Sequence, residues 1–326
     1  MLHIIPTIDY EIFGNGNGDV NKHIINPANK MLEICDLLDI KLTIMFEVYE
    51  YLCFKKFDKE LKVDLNYSPA TLIKNQITKA YSSGHDIELH IHPQFKDMDY
   101  INGKFSIYNY KLSVLNMDTE SCYDLIKKGL DTLNEVINRP NYKCVALRLS
   151  NMPWIQPPKN TIDAMKRLGL TFHSLDVIHT PPKQGFWELE NSGIYELPIN
   201  TMPVQLPYFL TIQRMITTLY IWLYSPPKIL LEKNGEYLKN GGLFSKFDLS
   251  KLTTNQMLQH VEYSIAKFDF EHYEVPLIII GHTKDFLNYR HFENFLRIVK
   301  KKYIITDSNI KFSTIQEFYS EVKLQS

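Results

Sequence analysis

Much that would place a chain quickly is missing from this one. There are only four cysteines in 326 residues, Cys35, Cys53, Cys122 and Cys144, and no two form a C-x-x-C pair. That scatter leaves no zinc ribbon and no disulfide framework, and it suits reduced thiols. Neither sign of charge dominates: 36 Lys+Arg stand against 37 Asp+Glu, a formal net charge of −1. A nucleic-acid partner is therefore not expected, because a phosphate-binding surface shows as a basic excess. No basic n-region followed by an apolar h-region opens the sequence, so the expected location is the cytoplasm. Long hydrophobic runs are missing too. Residues 204–224 come nearest, but Gln205, Pro207, Gln213 and Arg214 break them before the ~18 clean apolar residues that a membrane span needs. Repeats, charge blocks and Gly/Ser linkers are absent.

What remains is the composition of a globular protein, with 44% hydrophobic and 22% charged residues, too apolar for disorder. Short β-rich runs alternate with helical patterns. Strands are predicted at about 3–8, 42–48, 86–92, 144–149, 170–175, 194–199 and 275–282. A first helix is predicted from Asn26 as N-cap, with Pro27 at its first position and the stripe Met31, Ile34, Leu38. A second is opened by Ser68-Pro69 and stopped at Gly84. Others fall at about 119–136, 160–168, 253–268 and 291–301. Such alternation means a mainly parallel sheet, open or closed into a barrel. The chain is taken as one domain over 1–326, with a less regular insertion at about 201–249. Inside it, Tyr208, Ile212, Met215, Leu219 and Trp222 recur at helical spacing opposite Thr211, Arg214 and Thr218. This amphipathic helix is expected to cover an intramolecular or dimer surface beside the site. A membrane surface at the inner face of the membrane is the other reading. The glycines of Gly14-Asn15-Gly16-Asn17-Gly18 match no phosphate-binding motif, and no helix is expected at their end.

Parallel α/β folds carry their sites at the C-terminal ends of strands. The first strand ends in Thr7-Ile8-Asp9-Tyr10-Glu11, where Asp9 and Glu11 share a side of the extended chain. Taken alone, two such carboxylates are also what a solvated loop carries. In Gly84-His85-Asp86-Ile87-Glu88-Leu89-His90-Ile91-His92-Pro93, the polar residues Glu88, His90 and His92 share one face. Two imidazoles at i and i+2 can reach a single divalent ion, which a nearby carboxylate would complete. Bonding within a barrel explains one such histidine more easily than two. The apolar run Pro276–Gly281 delivers His282, poised for acid–base work, although a helix cap would look the same. The strand from Cys144 delivers Arg148, a residue type that pairs with carboxylates where it is buried.

Taken in order, Thr7-Ile8-Asp9-x-Glu11, His90-Ile91-His92-Pro93-Gln94, Leu147-Arg148 leading to Trp154-Ile155-Gln156-Pro157, and Ile280-Gly281-His282-Thr283-Lys284 resemble the polysaccharide deacetylase family. This is the NodB-homology domain of carbohydrate esterase family 4. The resemblance runs from residue 1 to about 320 and is nearest to members encoded with surface-polysaccharide synthesis genes. It implies a distorted, incomplete (β/α) barrel of about seven mainly parallel strands with a helical insertion. It also implies a divalent metal ion, most often zinc, and hydrolysis of an N-acetyl or related acyl group on a sugar by metal-activated water. The sugar would be linked to a nucleotide or a lipid, or lie in a polysaccharide. Residue by residue, Asp9 matches the base, Glu11 a metal-binding acid, His90 the first metal histidine, Arg148 the residue that holds the base, and His282 the general acid. The family's second metal histidine stands four residues after the first. Here that position is Gln94, and His92 stands at two, which leaves His92, Gln94 and Asp9 as candidates for the third ligand. Where the family has Asp-Ser-Ser, this chain has Phe172-His173-Ser174. The rival expectations are a hydrolase of a non-sugar amide on the same fold and a non-catalytic member that binds a glycan or a partner.

Overall fold

The computed structural model describes residues 1–150, 156–175, 182–225 and 243–325. Trp154 and residues 226–242 of the expected insertion lie outside them. The strands, in chain order, are β1 (Leu2–Tyr10), β2 (Thr43–Glu47), β3 (Asp86–Ile91), β4 (Met98–Ile101), β5 (Lys104–Ile107), β6 (Ala146–Leu149), β7 (Phe172–His173), β8 (Trp187–Leu189), β9 (Ile194–Glu196), β10 (Thr201–Val204), β11 (Leu243–Lys246), β12 (Val275–His282) and β13 (Ile310–Phe312). One sheet runs β12-β1-β2-β3-β6-β7-β9-β8, with β13 added to β1. Its first seven strands are mutually parallel, and β8 is antiparallel to β9. Beyond β9, the bridges Ile199↔Ile278 and Asp248↔Ile280 bring the chain back to the free edge of β12. The ring is thus drawn shut by isolated pairs rather than by a full ladder, which makes the barrel distorted and incomplete.

Pro6 lies in β1 at the centre of this sheet, where proline normally costs a ladder bond. Along one side β1 pairs with β13 through Leu2–Ile4 and with β2 through Thr7–Tyr10. Pro6 falls in the interval between the two partners.

Strand alternation divides the apolar side chains into two cores. Outward residues such as Ile4, Ile8, Phe46, Leu89, Leu147 and Leu277 pack with the surrounding helices. Ile5, Met45, Ala146, Phe172, Leu197 and Ile278 fill the lumen with Ile315 and Phe318. Those last two belong to the C-terminal helix Ile315–Gln325, whose first backbone N–H groups bond to Thr43 and Asp86 at the starts of β2 and β3. This end of the barrel is closed, so the polar inward residues have only the C-terminal mouth to face.

Several helix ends obey local rules. Ser68 accepts from the N–H of Thr71, and Gly84 has φ +87°. Others depart from expectation. The first helix does not start at Asn26, because a π turn over Asn21–Ile25 precedes α1 (Asn26–Leu37). The cap is Asp19, which accepts from the Lys22 N–H at 2.7 Å, directly after the Gly14–Gly18 loop. The strand expected to reach Val48 ends at Glu47, whose carboxylate accepts from the Tyr49 N–H (3.1 Å) and caps α2 (Val48–Lys56).

β10 and β11 form an antiparallel ribbon. After β10 comes the helix Ile212–Tyr224, and among the described residues nothing covers its apolar stripe: Ile212, Met215, Ile216, Leu219, Trp222 and Leu223 are all exposed. Among the described residues the expected intramolecular cover is thus not found, and the expected dimer surface is a separate matter. Among the described residues no helix is long and apolar enough to cross a membrane.

Behind β11, His260 is buried with its ring stacked on Phe247 (centroids 4.6 Å apart) and its nitrogens facing Asn200 Oδ1 (3.2 Å) and Ser245 Oγ (3.3 Å). Burial pushes its pKa down to about 3. Below the ordinary value of about 6.5 the unfolded chain therefore takes up a proton that the native protein refuses, so stability falls as pH falls. The melting temperature is expected to drop between pH 7 and pH 4, and His260→Gln should flatten that slope. An unchanged slope in the variant would remove His260 as a source of it.

Candidate active site

Register assembles the site. Asp9 at the end of β1 lies beside His282 on β12, while His90 on β3 lies between Glu47 on β2 and Arg148 on β6. All these side chains point inward, and Asp9, Glu11, Glu47, His90, His92 and Arg148 are buried. Burying a charge is costly unless it is paired, and the pairing here is specific. Arg148 donates from Nη1 to Asp9 Oδ1 (2.5 Å), from Nη2 to Thr7 Oγ1 (3.0 Å) and Ser174 Oγ (3.1 Å), and from Nε to the Ser174 carbonyl (3.0 Å). Ser174, in the triplet that departs from the family pattern, thus holds the arginine.

Burial would raise the Asp9 carboxyl, but Arg148, helped by His90 and His282, outweighs it and holds the pKa below the ordinary carboxylate value. The second oxygen, Oδ2, carries no strong hydrogen bond among the described residues. It lies 3.6 Å from His282 Nε2 and 3.9 Å from His90 Nε2. Burial likewise lowers His282, against the raising influence of Asp285, whose Oδ1 lies 3.9 Å from His282 Nδ1.

Glu11 divides its two oxygens. Oε1 accepts from Lys284 Nζ, while Oε2 meets His90 Nε2 at 3.1 Å and is in contact with His92 Nε2. Its backbone N–H is fixed by Thr283 Oγ1 (3.1 Å). Burial raises the Glu11 carboxyl, but His92, Lys284 and His90 bring it well below its ordinary value. His90 donates from Nδ1 to the Arg148 carbonyl (2.9 Å), which turns Nε2 toward Glu11. The His92 ring stacks on Phe95, and burial lowers its pKa to about 4, so it stands neutral at ordinary pH.

One ligand atom from each of Glu11, His90 and His92 lies within 4.8 Å of the others. Nε2 of His92 has no hydrogen-bond partner of good geometry, and neither does Oε1 of Gln94. The Gln94 amide lies 3.0 Å from His92 Nδ1. A half-turn of that amide would set its oxygen on an Nδ1–H and free the Nε2 lone pair, the arrangement in which imidazoles ligate metals. Gln94 therefore sits on the far nitrogen of His92 rather than among the converging donors. Two buried acids next to the cluster, Glu47 and Glu50, are raised well above their ordinary values by burial and by nearby carboxylates. They provide negative charge that a bound dication would draw out by releasing protons. These donors fit a divalent ion. A second set, Asp9, Glu11 and His282, also converges and shares Glu11. A third, His3 with Glu274 and Glu321, lies by the barrel's closed end, where the N-terminal amine and Lys311 already face its carboxylates.

All six residues singled out from the sequence thus meet at one mouth. The sequence reading missed the roles of Lys284, Thr283, Asp285 and Glu47. Glu47 was findable as the one acid at the end of the β2 run. Lys284 was not, because its partner is set only by the pairing of β1 with β12. Glu88, on the same face as the histidines, serves structure: it accepts from the N–H groups of Val145 (2.9 Å) and Ala146 (2.7 Å) where β6 begins.

No family model and no curated protein matches this chain. Solved structures do. A putative polysaccharide deacetylase from Mycobacterium smegmatis aligns with TM-score 0.54 and 13% identity over 99% of this chain and 91% of that one. Puue allantoinase aligns with TM-score 0.50 and 10% identity over 98% and 89%. The 4-alpha-glucanotransferase from Thermococcus litoralis aligns with TM-score 0.53 and 12% identity over 98% of this chain but 40% of that one. The chain has the fold of these proteins, a polysaccharide deacetylase among them, and at such identities the likeness is one of fold.

Zinc titration of metal-free protein checks the cluster. His90→Ala and His92→Ala are each expected to abolish measurable binding, and Gln94→Ala to weaken it roughly 10- to 100-fold. Full metal content in His92→Ala would move the third ligand elsewhere.

Proposed function

We propose that this chain is a metal-dependent hydrolase that removes an N-acetyl or related acyl group from a sugar in surface-polysaccharide biosynthesis, acting in the cytoplasm. The observation that carries the reading is Asp9, fixed by Arg148 through one oxygen and left open through the other, facing His282 beside the Glu11–His90–His92 cluster. A divalent ion, zinc by the chemistry of two imidazoles and a carboxylate, would polarise the acyl oxygen and lower the pKa of a water there. Asp9 stays ionised and accepts the proton of the attacking water at Oδ2. Arg148 keeps that oxygen turned to the mouth and disfavours any stray protonation. His282 gives a proton to the amine nitrogen as the C–N bond breaks. Its buried imidazolium gives that proton up readily because burial depresses its pKa. Asp285 opposes this depression.

The fold shared with an allantoinase supports a second reading, hydrolysis of a non-sugar amide by the same groups. A panel of free, nucleotide-linked and lipid-linked N-acetyl sugars, run beside non-sugar amides with acid release as the readout, separates the two. Release from no member, with metal bound, would leave a binding protein. On a responding substrate, Asp9→Asn and His282→Ala are each expected to lower kcat about 10²- to 10⁴-fold. Near-normal rates in both would remove the acid–base roles.

Asp285→Asn tests the pH behaviour. Without that carboxylate the His282 pKa falls further, so the imidazolium is lost at lower pH as pH rises. The alkaline limb of kcat/KM should move to lower pH, and an upward shift would contradict the assignment.

A further inference from the structure

The helix Ile212–Tyr224, labelled α7 as the seventh α-helix among the described residues, is amphipathic in the reverse sense to a helix on a core. Its apolar positions 212, 215, 216, 219, 222 and 223 form one stripe, and that stripe faces outward, with Ile212 and Leu223 each 77% exposed. The opposite stripe, Gln213, Thr217, Tyr220 and Tyr224, faces the protein. Thr217 is fully buried, and its hydroxyl donates to the Ser250 carbonyl (3.0 Å). Gln213 donates to Thr217 Oγ1 (3.2 Å) and to the same carbonyl (3.4 Å). The Tyr224 ring stacks on Phe13 (5.0 Å), and its carbonyl accepts from Asn15 (2.8 Å) and Asn17 (3.0 Å). These bonds fix the direction of the helix, so its apolar stripe is presented outward by the polar contacts behind it.

Large side chains in such a continuous patch do not stay in water without an occupant. The charges indicate which. Across residues 197–225 the sole charged side chain is Arg214, and no acid occurs. Lys22 borders the helix, donating to the Tyr224 hydroxyl (2.7 Å) and lying over the Tyr220 and Tyr224 rings. An apolar stripe carrying a tryptophan, with Lys22 and Arg214 beside it and no carboxylate on the helix itself, complements an anionic lipid surface.

We propose that α7 docks this protein on an anionic bilayer, with its apolar stripe in the interface. The helix packs against the Thr283–Asp285 turn that follows His282, and its C-terminal end clasps the loop that follows Glu11. Docking therefore sets the mouth of the site at the membrane. Resting on the hydrolase reading above, this selects an acylated sugar carried on a membrane lipid over one carried on a soluble nucleotide.

Sedimentation of the full chain with vesicles of phosphatidylcholine containing roughly one-third phosphatidylglycerol tests the docking without any assay of turnover. The protein is expected to pellet with the vesicles. Leu219→Asp/Leu223→Asp, both at exposed positions, should bind at least about tenfold more weakly while keeping the wild-type circular dichroism and melting temperature. Wild-type protein left in the supernatant would overturn the proposal. So would a dimer in sedimentation velocity that the double variant dissolves and that shows no vesicle binding, because the occupant would then be a second copy. Vesicle binding without acyl release from any lipid-linked sugar would support the docking and count against the hydrolase reading alone.

Discussion

The ion pair between Arg148 and Asp9 is the constraint around which the mouth of the barrel is organised. Both groups are buried, and removing one partner of such a pair typically costs about 3–5 kcal/mol, because the other is left charged out of water. The two residues come from β6 and β1, with β2 and β3 between them in the sheet. They meet only because the sheet curls. Thr7 and Ser174 accept from Nη2 and Nε, which fixes the orientation of the arginine, and Asp9 Oδ2 is turned toward His282.

Glu11 repeats the arrangement one step further out. Lys284 holds one oxygen and the two imidazoles meet the other, so a single carboxylate joins the turn after β12 to the end of β3. The two anions Asp9 and Glu11 are balanced by the two cations Arg148 and Lys284. Glu47 and Glu50 are held toward the neutral form. Glu11, His90 and His92 would hold a dication here, and proton loss from Glu47 and Glu50 would offset its charge with the Arg148 and Lys284 pairs kept.

The alternation in β3 showed which residues share a face, and the apolar run of β12 showed where His282 emerges. Strand-end logic needs only local sequence. It does not show which strand ends are neighbours, and for that reason Lys284 and Asp285 had no assignable partners. The α7 pattern has a similar limit. Periodicity gave the stripe but not its direction, which depends on a hydrogen bond from Thr217 to a carbonyl of Ser250, 33 residues away. At the first helix, Pro27 signalled a start that a π turn and the Asp19 cap had already made upstream. The site was thus legible in its acids, histidines and arginine, and illegible in the groups that tune them.

The fold places Asp9, His282 and the Glu11–His90–His92 cluster at one end of a barrel whose other end is sealed by Ile315 and Phe318. Substrate must approach through the mouth, and α7 stands beside it. Everything proposed for the chemistry rests on Glu11, His90 and His92 acting together as ligands. X-ray absorption spectroscopy of the zinc-loaded protein examines that directly. A light-atom shell is expected, with two imidazole nitrogens at about 2.0–2.1 Å and carboxylate oxygen at about 2.0–2.2 Å. A sulfur shell, or a spectrum without the multiple scattering of two imidazoles, would contradict it.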